Sequence, residues 1–338
     1  MRIKEVMKIS DILIDWYKKN KRDLPWRQNK NAYYIWISEI MLQQTRVEAV
    51  KPYFSRFITA LPTVHDLATV EDDALMKLWE GLGYYSRVRN MKKAAILCVE
   101  KYEGMLPSTY EQLLELPGIG PYTAGAIASI AFGQQVCAID GNLLRVYARL
   151  FAIEKDILQE KTKREIQQIM EQDLAEDMGD MNQALMDFGS SICIGNGNPR
   201  CNICPLVENC KAYQEGLVHK LPIRKKLKKR KKEKYTVVIY TYQDEVLIHK
   251  RSDQGLLAGL YEFVTLDDHH PKKEFPKAIY LGKYKHIFSH IEWDMKGFLV
   301  PTTDKIIKKD YIWVKIEDLE KHYSIPGAFK LYKEKALS

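Results

Sequence analysis

Hydrophobic positions in the first two thirds of the chain recur every three to four residues, the spacing that places them on one face of an α-helix. Segments with this period predict helices at 10–20, 32–45, 72–82, 88–102, 110–116, 121–132, 140–151, 162–170 and 182–193. The segment at 121 opens with proline, which is favoured at a first helical position. Residues 1–216 are therefore expected to form a mainly helical domain.

The pattern changes beyond residue 235, where β-branched and aromatic residues are concentrated. The segments 235–242 and 246–250, joined by the short turn 243–245, predict a β-hairpin. Further strand-like segments lie around 279–281, 287–293, 297–300 and 311–315. The pattern predicts a smaller α+β domain at 235–338, and a chain of 338 residues is long enough for two domains.

Charge is concentrated between the two patterns. The net charge is +8, yet residues 220–234 alone hold ten Lys or Arg and one Glu. A single basic stretch is a weaker signal for nucleic acid than a basic domain, and a solvated tether explains it equally well. Residues 217–234 are interpreted as a basic interdomain linker, with both roles left open.

The chain offers no apolar segment suited to a membrane or a signal peptide. The N-terminus, MRIKEVMKISDILIDW, lacks a continuous apolar core, and no run approaches the roughly 18 apolar residues of a membrane span. Six cysteines in such a chain argue against a disulfide framework. We expect a soluble, cytoplasmic monomer with no membrane partner.

A glycine turn between two short helices has the chemistry of a phosphate-binding site. The segment LELPGIGPY at 114–122 places Gly118 and Gly120 in that turn, where glycine permits close backbone approach. Exposed amides there and at the next helix N-terminus form an anion site, which positions DNA without reading its sequence. A simple packing role is the alternative.

Two carboxylates occur in settings that alter acidity. Glu39 is the only ionisable residue in AYYIWISEIML at 32–42, and burial would raise its pKa, as a general acid requires. The alternative is a solvated stripe with Gln43 and Arg46. Asp140 precedes a helix and would cap it. We expect that cap to lower the pKa of Asp140, so that the two groups form an acid and a charge stabiliser.

Four of the six cysteines are clustered. Cys193, Cys201, Cys204 and Cys210 are separated by seven, two and five residues. A structural zinc site usually has two close pairs, and only the middle two cysteines form one. The spacing fits a cubane iron–sulfur cluster better than zinc. Cys98 and Cys137 are expected to be buried, inert thiols.

Several of these motifs resemble those of the endonuclease III superfamily of helix-hairpin-helix DNA glycosylases. LPGIGPYTAGAI is similar to its hairpin, and WISEIMLQQTRV and VCAIDGNLLRV are similar to two motifs of the adenine DNA glycosylases. Lyase members have a lysine where this chain has Tyr122, and tyrosine cannot form a Schiff base. The resemblance therefore implies a monofunctional enzyme. Pro121 stands where arginine is common, so one phosphate contact is expected to be absent.

The resemblance implies how the N-glycosidic bond is hydrolysed. Glu39 would protonate adenine N7, and Asp140 would stabilise the oxocarbenium-like cation, with or without a transient covalent bond, as in two-carboxylate glycosidases. Asn142 and Tyr122 would line the sugar side of the pocket and support Asp140.

The target base must leave the stack to reach such a pocket. The resemblance implies that Trp26, Arg27 and Gln183 face the extruded adenine. Gln44 and Tyr84 would wedge into the duplex. For Tyr84, an ordinary aromatic position on a helix connection is the alternative.

The same resemblance implies a structural [4Fe–4S] cluster in the loop 193–210, held by the four clustered cysteines. The family usually has six residues between the first two ligands, whereas this chain has seven. The loop IGNGNPR offers only Arg200 where the family loop is often basic. We expect the cluster to be retained through a bulge.

The segment LLAGLYEF at 256–263 resembles part of a Nudix domain. The following VTLDDHHPKKEF lacks the Arg-Glu…Glu-Glu cluster that holds magnesium, so nucleotide hydrolysis is not expected. The adenine glycosylase family uses this domain to recognise 8-oxoguanine, and Phe288, Ser289 and His290 in HIFSHIEW are similar to its reader loop. A plain strand is the alternative, because that segment nearly alternates.

The resemblance covers nearly the whole chain and implies a glycosylase that removes adenine opposite 8-oxoguanine or guanine in double-stranded DNA. We expect a helix-hairpin-helix domain at 1–216, the linker at 217–234 and a Nudix-like domain at 235–338, in a cytoplasmic protein associated with the nucleoid. A lyase-type glycosylase and a non-catalytic lesion-binding protein are the alternatives. Tyr122 and the second domain count against the first, and the presence of both Glu39 and Asp140 counts against the second.

Overall fold

The computed structural model describes residues 8–225, 230–267, 271 and 275–337. By its internal contacts the chain divides into two compact units. The first comprises Met1–Ala68 and Met91–Lys226, and the second comprises Thr69–Asn90 and Leu227–Ser338. The second unit therefore includes a segment that the sequence assigned to the helical domain.

The helices that precede the sheet follow the predicted periodicity closely. They are α1 (Ile9–Asn20), α2 (Ala32–Leu42), α3 (Val47–Ala60), α4 (Val64–Thr69), α5 (Asp72–Trp79), α6 (Ser86–Lys101), α7 (Tyr110–Leu114), α8 (Pro121–Phe132), α9 (Gly141–Leu150), α10 (Glu160–Glu171), α11 (Met178–Ser191) and α12 (Lys211–Gln214). The mainly helical fold predicted for this part is confirmed.

Three of these helices, α3, α4 and the short α12, were not predicted. Pro52 lies inside α3, and proline usually ends a helical pattern. It sits in the second turn, and the helix is retained because Val50, Phe54 and Phe57 bury one face. The helix predicted at 32–45 is also shorter than expected, since α2 ends at Leu42 and a turn follows.

The centre of the first unit is helix α8, which packs against both α2 and α11. Helix α2 is buried on nearly all sides and is capped by the Asn31 side chain, which accepts hydrogen bonds from the amides of Tyr33 and Tyr34. Helix α8 is rich in small residues. A Cβ at Gly125 would lie 2.6 Å from the carbonyl oxygen of Cys137, so glycine is what permits this close approach.

The second unit contains a mixed sheet whose described strands are β1 (Lys231–Tyr242), β2 (Glu245–Lys250), β3 (Tyr261–Glu262), β4 (Val264–Asp267), β5 (Ile279–Ile287), β6 (Ile291–Pro301) and β7 (Tyr311–Lys315). Its order is β3-β2-β1-β6-β5, with β4 on β1 and β7 on β2. Strands β1 and β6 are parallel. Helices α13 (Ile316–His322) and α14 (Lys330–Leu337) complete the unit, and its core includes Phe263, Trp293 and Phe329.

The predicted linker 217–234 is shorter in the structure. Val218 and Leu221 are buried against Ala212 in the first unit. At the other end, β1 begins at Lys231, four residues before the predicted strand, because its basic residues pair in parallel with β6. Of the linker, residues 226–229 lie outside the described residues.

The strand predicted at 287–293 is interrupted. Strand β5 ends at Ile287 and β6 begins at Ile291, and the three residues between them form the connecting loop. The amide of Phe288 donates to the carbonyl of Ile291 at 2.8 Å, which closes that loop. Phe288, Ser289 and His290 therefore occupy the tip of a hairpin. None of the helices in the described part of the chain is long and apolar enough to span a membrane.

Candidate functional site

A cavity of about 380 Å³ in the first unit brings together residues that are distant in the sequence. Its walls come from the 3₁₀ turn Pro25–Arg27, α2, α8, the start of α9 and α11. The predicted site residues that line it are Trp26, Arg27, Glu39, Gln44, Tyr122, Asp140, Asn142 and Gln183. The residues that the sequence assigned to the adenine pocket and to catalysis therefore line the same cavity.

Glu39 is an acid held in a largely apolar setting. It is 5% exposed, which rules out the solvated stripe. Burial raises the pKa of Glu39 to about 7, and the nearby Asp140 carboxylate raises it too, whereas the Tyr122 hydrogen bond and the Arg27 cation oppose the rise. Glu39 can therefore hold and release a proton near neutral pH.

The Tyr122 hydroxyl donates to Oε2 of Glu39 at 2.5 Å. Burial and the adjacent carboxylates raise the pKa of Tyr122 well above its usual value, so this hydroxyl keeps its proton and remains a donor. The expectation that Tyr122 supports Asp140 is not what the geometry shows. Its partner is Glu39, because the first turn of α8 faces α2.

Asp140 caps α9 as expected. Its Oδ1 accepts from the amide of Leu143 at 2.7 Å, and its Oδ2 accepts from Nδ2 of Asn142 at 2.6 Å. The expected low pKa is wrong, because burial outweighs these bonds and raises the pKa of Asp140. Both carboxyl groups in the cavity are thus harder to ionise than free carboxylic acids.

Asn142 is fixed by an arginine that the sequence reasoning missed. Arg145 is 7% exposed, and its Nη2 donates to Oδ1 of Asn142 at 2.9 Å and to the carbonyl of Gly189 at 2.6 Å. Its Nε donates to the carbonyl of Cys193 at 2.8 Å. Asp140 is therefore supported by Asn142, and Asn142 by Arg145.

The side of the cavity assigned to the base contains Trp26, Arg27 and Gln183. Trp26 is 4% exposed and packs edge-on against Phe54, with ring centroids 5.3 Å apart. Gln183 is 9% exposed. Its Nε2 donates to the carbonyl of Gly179 at 3.3 Å, so packing holds Trp26 and a hydrogen bond holds Gln183.

Arg27 is oriented by Asp187, another residue that was missed. Nη1 of Arg27 donates to Oδ2 of Asp187 at 2.7 Å, and Arg22 also pairs with that carboxylate. Burial favours the protonated acid, but these bonds prevail and lower the pKa of Asp187. A lone acid within the apolar segment MNQALMDFG is the same signal that identified Glu39, and it could have revealed Asp187.

The predicted DNA contacts of the first unit lie on exposed backbone turns. Gln44 is exposed and has a left-handed φ of 60°, and it stands at the rim of the cavity. Gly118 has a φ of 81°, a conformation that favours glycine. Gly120 is the N-cap of α8, and no side chain caps that helix. The first amides of α8 are thus available to a phosphate.

Tyr84 does not line this cavity, and it belongs to the second unit. It is 46% exposed with a φ of 48°. A second cavity of about 380 Å³ is lined by Tyr84 together with Phe288, Ser289 and His290. Tyr84 and the reader residues, predicted separately, therefore share one cavity, whereas the other predicted wedge residue, Gln44, lines the cavity around Glu39.

The four clustered cysteines line a single apolar cavity in the first unit, with Val146, Leu150 and Phe188 among its walls. Nη1 of Arg149 approaches Sγ of Cys193 at 3.3 Å. Among the described residues, no group of three or more His, Cys, Asp or Glu is placed to hold a single metal ion. Four cysteine thiols that line one cavity are the type of ligand set that holds an iron–sulfur cluster.

The two remaining cysteines are separate from that cavity. Cys98 is buried and Cys137 is half-buried. Burial raises the pKa of these thiols to about 11 and about 12 respectively, which keeps them protonated and unreactive.

Comparison with known proteins gives matches for both units. Residues 37–172 match the HhH-GPD superfamily of base excision DNA repair proteins, and residues 235–335 match the NUDIX domain. The adenine DNA glycosylase of Buchnera aphidicola subsp. Baizongia pistaciae is 36% identical over 294 residues, 82% of each chain. That of Schizosaccharomyces pombe is 32% identical, covering 94% of this chain and 87% of the relative. The adenine DNA glycosylase of Mus musculus is 35% identical, and the match covers 83% of this chain and 68% of the relative.

Solved structures resemble the helical part. A thermostable thymine-DNA glycosylase has 26% identity and a TM-score of 0.56, covering 61% of this chain and 95% of its own. Endonuclease III trapped in a covalent complex with DNA has 23% identity and a TM-score of 0.52. The match covers 62% of this chain and 95% of the endonuclease III chain. The latter similarity concerns the fold alone.

Proposed function

The chain belongs to the adenine DNA glycosylase family of base excision repair enzymes, and we propose that its substrate is duplex DNA in which adenine is mispaired with 8-oxoguanine or guanine. Its reaction class is hydrolysis by a DNA N-glycosylase. The observation that carries the proposal is the buried Glu39, with a pKa near 7, in the same cavity as Asp140.

In the proposed reaction Glu39 is the general acid. Tyr122 occupies Oε2, which leaves Oε1 to carry the proton to adenine N7. The N-glycosidic bond then breaks heterolytically, and its electron pair goes to N9 of the departing adenine. Protonation makes adenine a better leaving group, so the step needs Glu39 in its acid form.

Asp140 stabilises the positive charge that develops at the sugar carbon. Its bonds to Leu143 and Asn142 fix the carboxylate at the cavity wall. A developing cation beside it favours the ionised form, which offsets the effect of burial. Water then adds to the sugar carbon and passes a proton to the Glu39 carboxylate, which restores the acid and completes hydrolysis.

Hydrolysis is favoured over a lyase reaction by the composition of the cavity. No lysine lines it among the residues that the structure describes, and the position next to the hairpin is Tyr122. A Schiff base with the sugar requires a primary amine. A monofunctional reaction, which leaves an abasic site, follows from this.

The extruded adenine would lie against Trp26, with Arg27 and Gln183 at its polar edge. Arg27 is held in place by Asp187, so it offers fixed donors at little entropic cost. The cavity volume of about 380 Å³ is in the range of small-molecule sites. An extruded base can thus be accommodated.

The base opposite adenine would be read in the second unit. Ser289 and His290 are both exposed at the hairpin tip, where Oγ of Ser289 lies 3.2 Å from Nδ1 of His290. Phe288 packs edge-on against Trp293, with centroids 4.9 Å apart, which holds the reader loop 288–290 in place. Because Tyr84 lines the same cavity, insertion into the duplex and contact with the lesion can occur together.

The four cysteines would hold a [4Fe–4S] cluster. Its contribution would be structural, tying the loop 193–210 to the end of α11. Arg149 supports this role through its approach to Cys193 and its bond to the carbonyl of Ile194 at 2.9 Å. The cluster takes no part in the proposed chemistry.

The substrate assignment is tested with a panel of duplexes that contain one adenine opposite 8-oxoguanine, guanine, cytosine or thymine. Single-turnover reactions are followed by alkali, which cleaves abasic sites. We expect cleavage at adenine opposite 8-oxoguanine and guanine only, and fastest opposite 8-oxoguanine. Equal rates with all four partners would contradict lesion recognition while leaving the glycosylase activity intact.

A further inference from the structure

The segment Thr69–Asn90 belongs by its contacts to the same compact unit as the sheet, although it is far from the sheet in the sequence. It contains α5, the loop that follows and the start of α6. Tyr84 lies in that loop. Whatever fixes this segment within the second unit therefore also fixes Tyr84.

Asp73, on α5, provides the first connection to the sheet. Its Oδ2 accepts from the hydroxyl of Tyr261 at 2.9 Å, and its Oδ1 accepts from Nζ of Lys250 at 2.5 Å. Tyr261 is 8% exposed and the Asp73 side chain is 42% exposed, so the bond between them is partly shielded from water. Hydrogen bonds to a charged, partly buried acceptor are stronger than neutral ones.

Glu80 and Arg89 provide two more connections at the ends of the same loop. Oε1 of Glu80 accepts from the amide of Ile325 at 3.1 Å. Nη1 of Arg89 donates to the carbonyl of Ala258. We call the contacts of Asp73, Glu80 and Arg89 the polar clamp.

The loop between the clamp residues holds Tyr84 in a defined conformation. Gly81 and Gly83 have φ of 98° and 69°, and Tyr84 itself has a φ of 48°. The guanidinium of Arg87 lies 5.4 Å from the Trp79 ring and 5.3 Å from the Tyr84 ring. Tyr84 is thus packed, through Arg87, onto the end of α5.

We propose that Asp73 and Glu80 are positioning residues for lesion recognition, because their contacts in the polar clamp hold Tyr84 in register with the reader loop 288–290. Neither residue lines the cavity around Glu39 or the cavity of the reader loop, so they act through Tyr84. This inference rests on the proposed function of Tyr84 and of the reader loop. The new element is that the polar clamp sets the distance between Tyr84 and the reader loop.

The test uses the full chain with Asp73→Ala, Glu80→Ala, the double variant and the milder Tyr261→Phe. Glu71→Ala is the matched control, because it removes one negative charge from an exposed position next to α5. Two readouts are taken. The first is the ratio of kcat/KM for adenine opposite 8-oxoguanine to that opposite guanine, and the second is the fluorescence of 2-aminopurine beside the opposite base, which rises when the duplex is distorted.

We expect the double variant to lose about tenfold in the kcat/KM ratio, as the loss of hydrogen bonds to charged groups suggests. The fluorescence rise should fall in parallel, whereas the maximal excision rate opposite guanine and the thermal unfolding temperature stay close to wild type. Tyr261→Phe should show a smaller loss in the same direction, and Glu71→Ala none.

The clamp variants are also combined with Tyr84→Ala. If the polar clamp acts through Tyr84, it has no further effect in that background. An additive effect there, an undiminished fluorescence rise in the double variant, or a wild-type rise that does not depend on Tyr84 would each overturn the inference. If wild type shows no preference for 8-oxoguanine, the proposed function is contradicted instead. The fluorescence rise with guanine duplexes, compared between wild type and the clamp variants, would then still test the polar clamp.

Discussion

The hydroxyl of Tyr122 lies 2.5 Å from Oε2 of Glu39. This hydrogen bond lowers the pKa of Glu39, while burial raises it by more. The net result is a pKa of about 7. This value is higher than that of a solvent-exposed carboxylic acid and lower than burial without the hydrogen bond would give. Burial therefore sets the direction of the shift in the pKa of the proposed general acid, and the Tyr122 hydroxyl limits its size.

Replacing Tyr122 by phenylalanine should move the pH dependence of excision. Excision by wild type should decline as pH rises through about 7, because Glu39 loses its proton. Tyr122→Phe removes a bond that favours the ionised form, so the pKa of Glu39 rises further and the decline moves to higher pH. Single-turnover rates between pH 5 and 9 measure this. A decline at unchanged pH would mean that Glu39 is not the titrating group.

Asp187→Asn should destabilise the first unit. The Asp187 side chain is 2% exposed and pairs with Arg22 and Arg27, and removing the charge leaves the arginines uncompensated. A loss of about 3 kcal/mol in the free energy of unfolding is expected, with weaker binding of DNA as Arg27 loses its orientation. Glu165→Gln, which removes an exposed pair with Lys155, is the control and should cost less than about 1 kcal/mol. Equal losses would contradict a structural role for Asp187.

Ser289→Ala should lower the preference for 8-oxoguanine without abolishing excision. One hydrogen bond to the lesion is worth about 1 kcal/mol, so the ratio of rates opposite 8-oxoguanine and guanine should fall about fivefold. Thr303→Ala, at an exposed loop position elsewhere in the second unit, should leave the ratio unchanged. An unaltered ratio in Ser289→Ala would show that the hairpin tip does not read the base.

Metal analysis should find iron and inorganic sulfide in the purified protein, about four atoms of each per chain, as one cubane cluster requires. Cys204→Ala should lower the iron content and destabilise the loop 193–210. Cys137→Ala is the control, because Cys137 does not line the cavity of the four clustered cysteines. This variant should keep the iron content of wild type. Zinc in place of iron would contradict the proposed cluster.

Local patterns predicted the elements that carry the chemistry. Glu39 was found because a lone acid in an apolar helix is visible in the sequence, and Asp140 because a cap precedes a helix. The pKa of Asp140 was predicted with the wrong sign, because its burial comes from helices distant in the sequence. Tyr122 was assigned to the wrong carboxylate for the same reason.

Long-range packing accounts for most of what the sequence did not predict. The grouping of Tyr84 with the reader loop depends on side-chain contacts such as that between Asp73 and Tyr261, which no periodicity encodes. Strand β1 begins within a basic segment, because pairing with β6 compensates for the charge. Helix α3 persists despite Pro52, because its apolar face is buried.

Strand cleavage of a duplex with one adenine opposite 8-oxoguanine, with and without alkali, tests the central claim most directly. Wild type should cleave only after alkali, and Glu39→Gln should lose activity by several orders of magnitude. Glu39→Gln should still fold, and at pH 8 it should be more stable than wild type, since the raised pKa of Glu39 costs stability that accumulates as pH rises from about 4.5 to about 7 and is fully present above that range. Cleavage by wild type without alkali, or full activity in the folded Glu39→Gln variant, would contradict a monofunctional glycosylase with Glu39 as its acid.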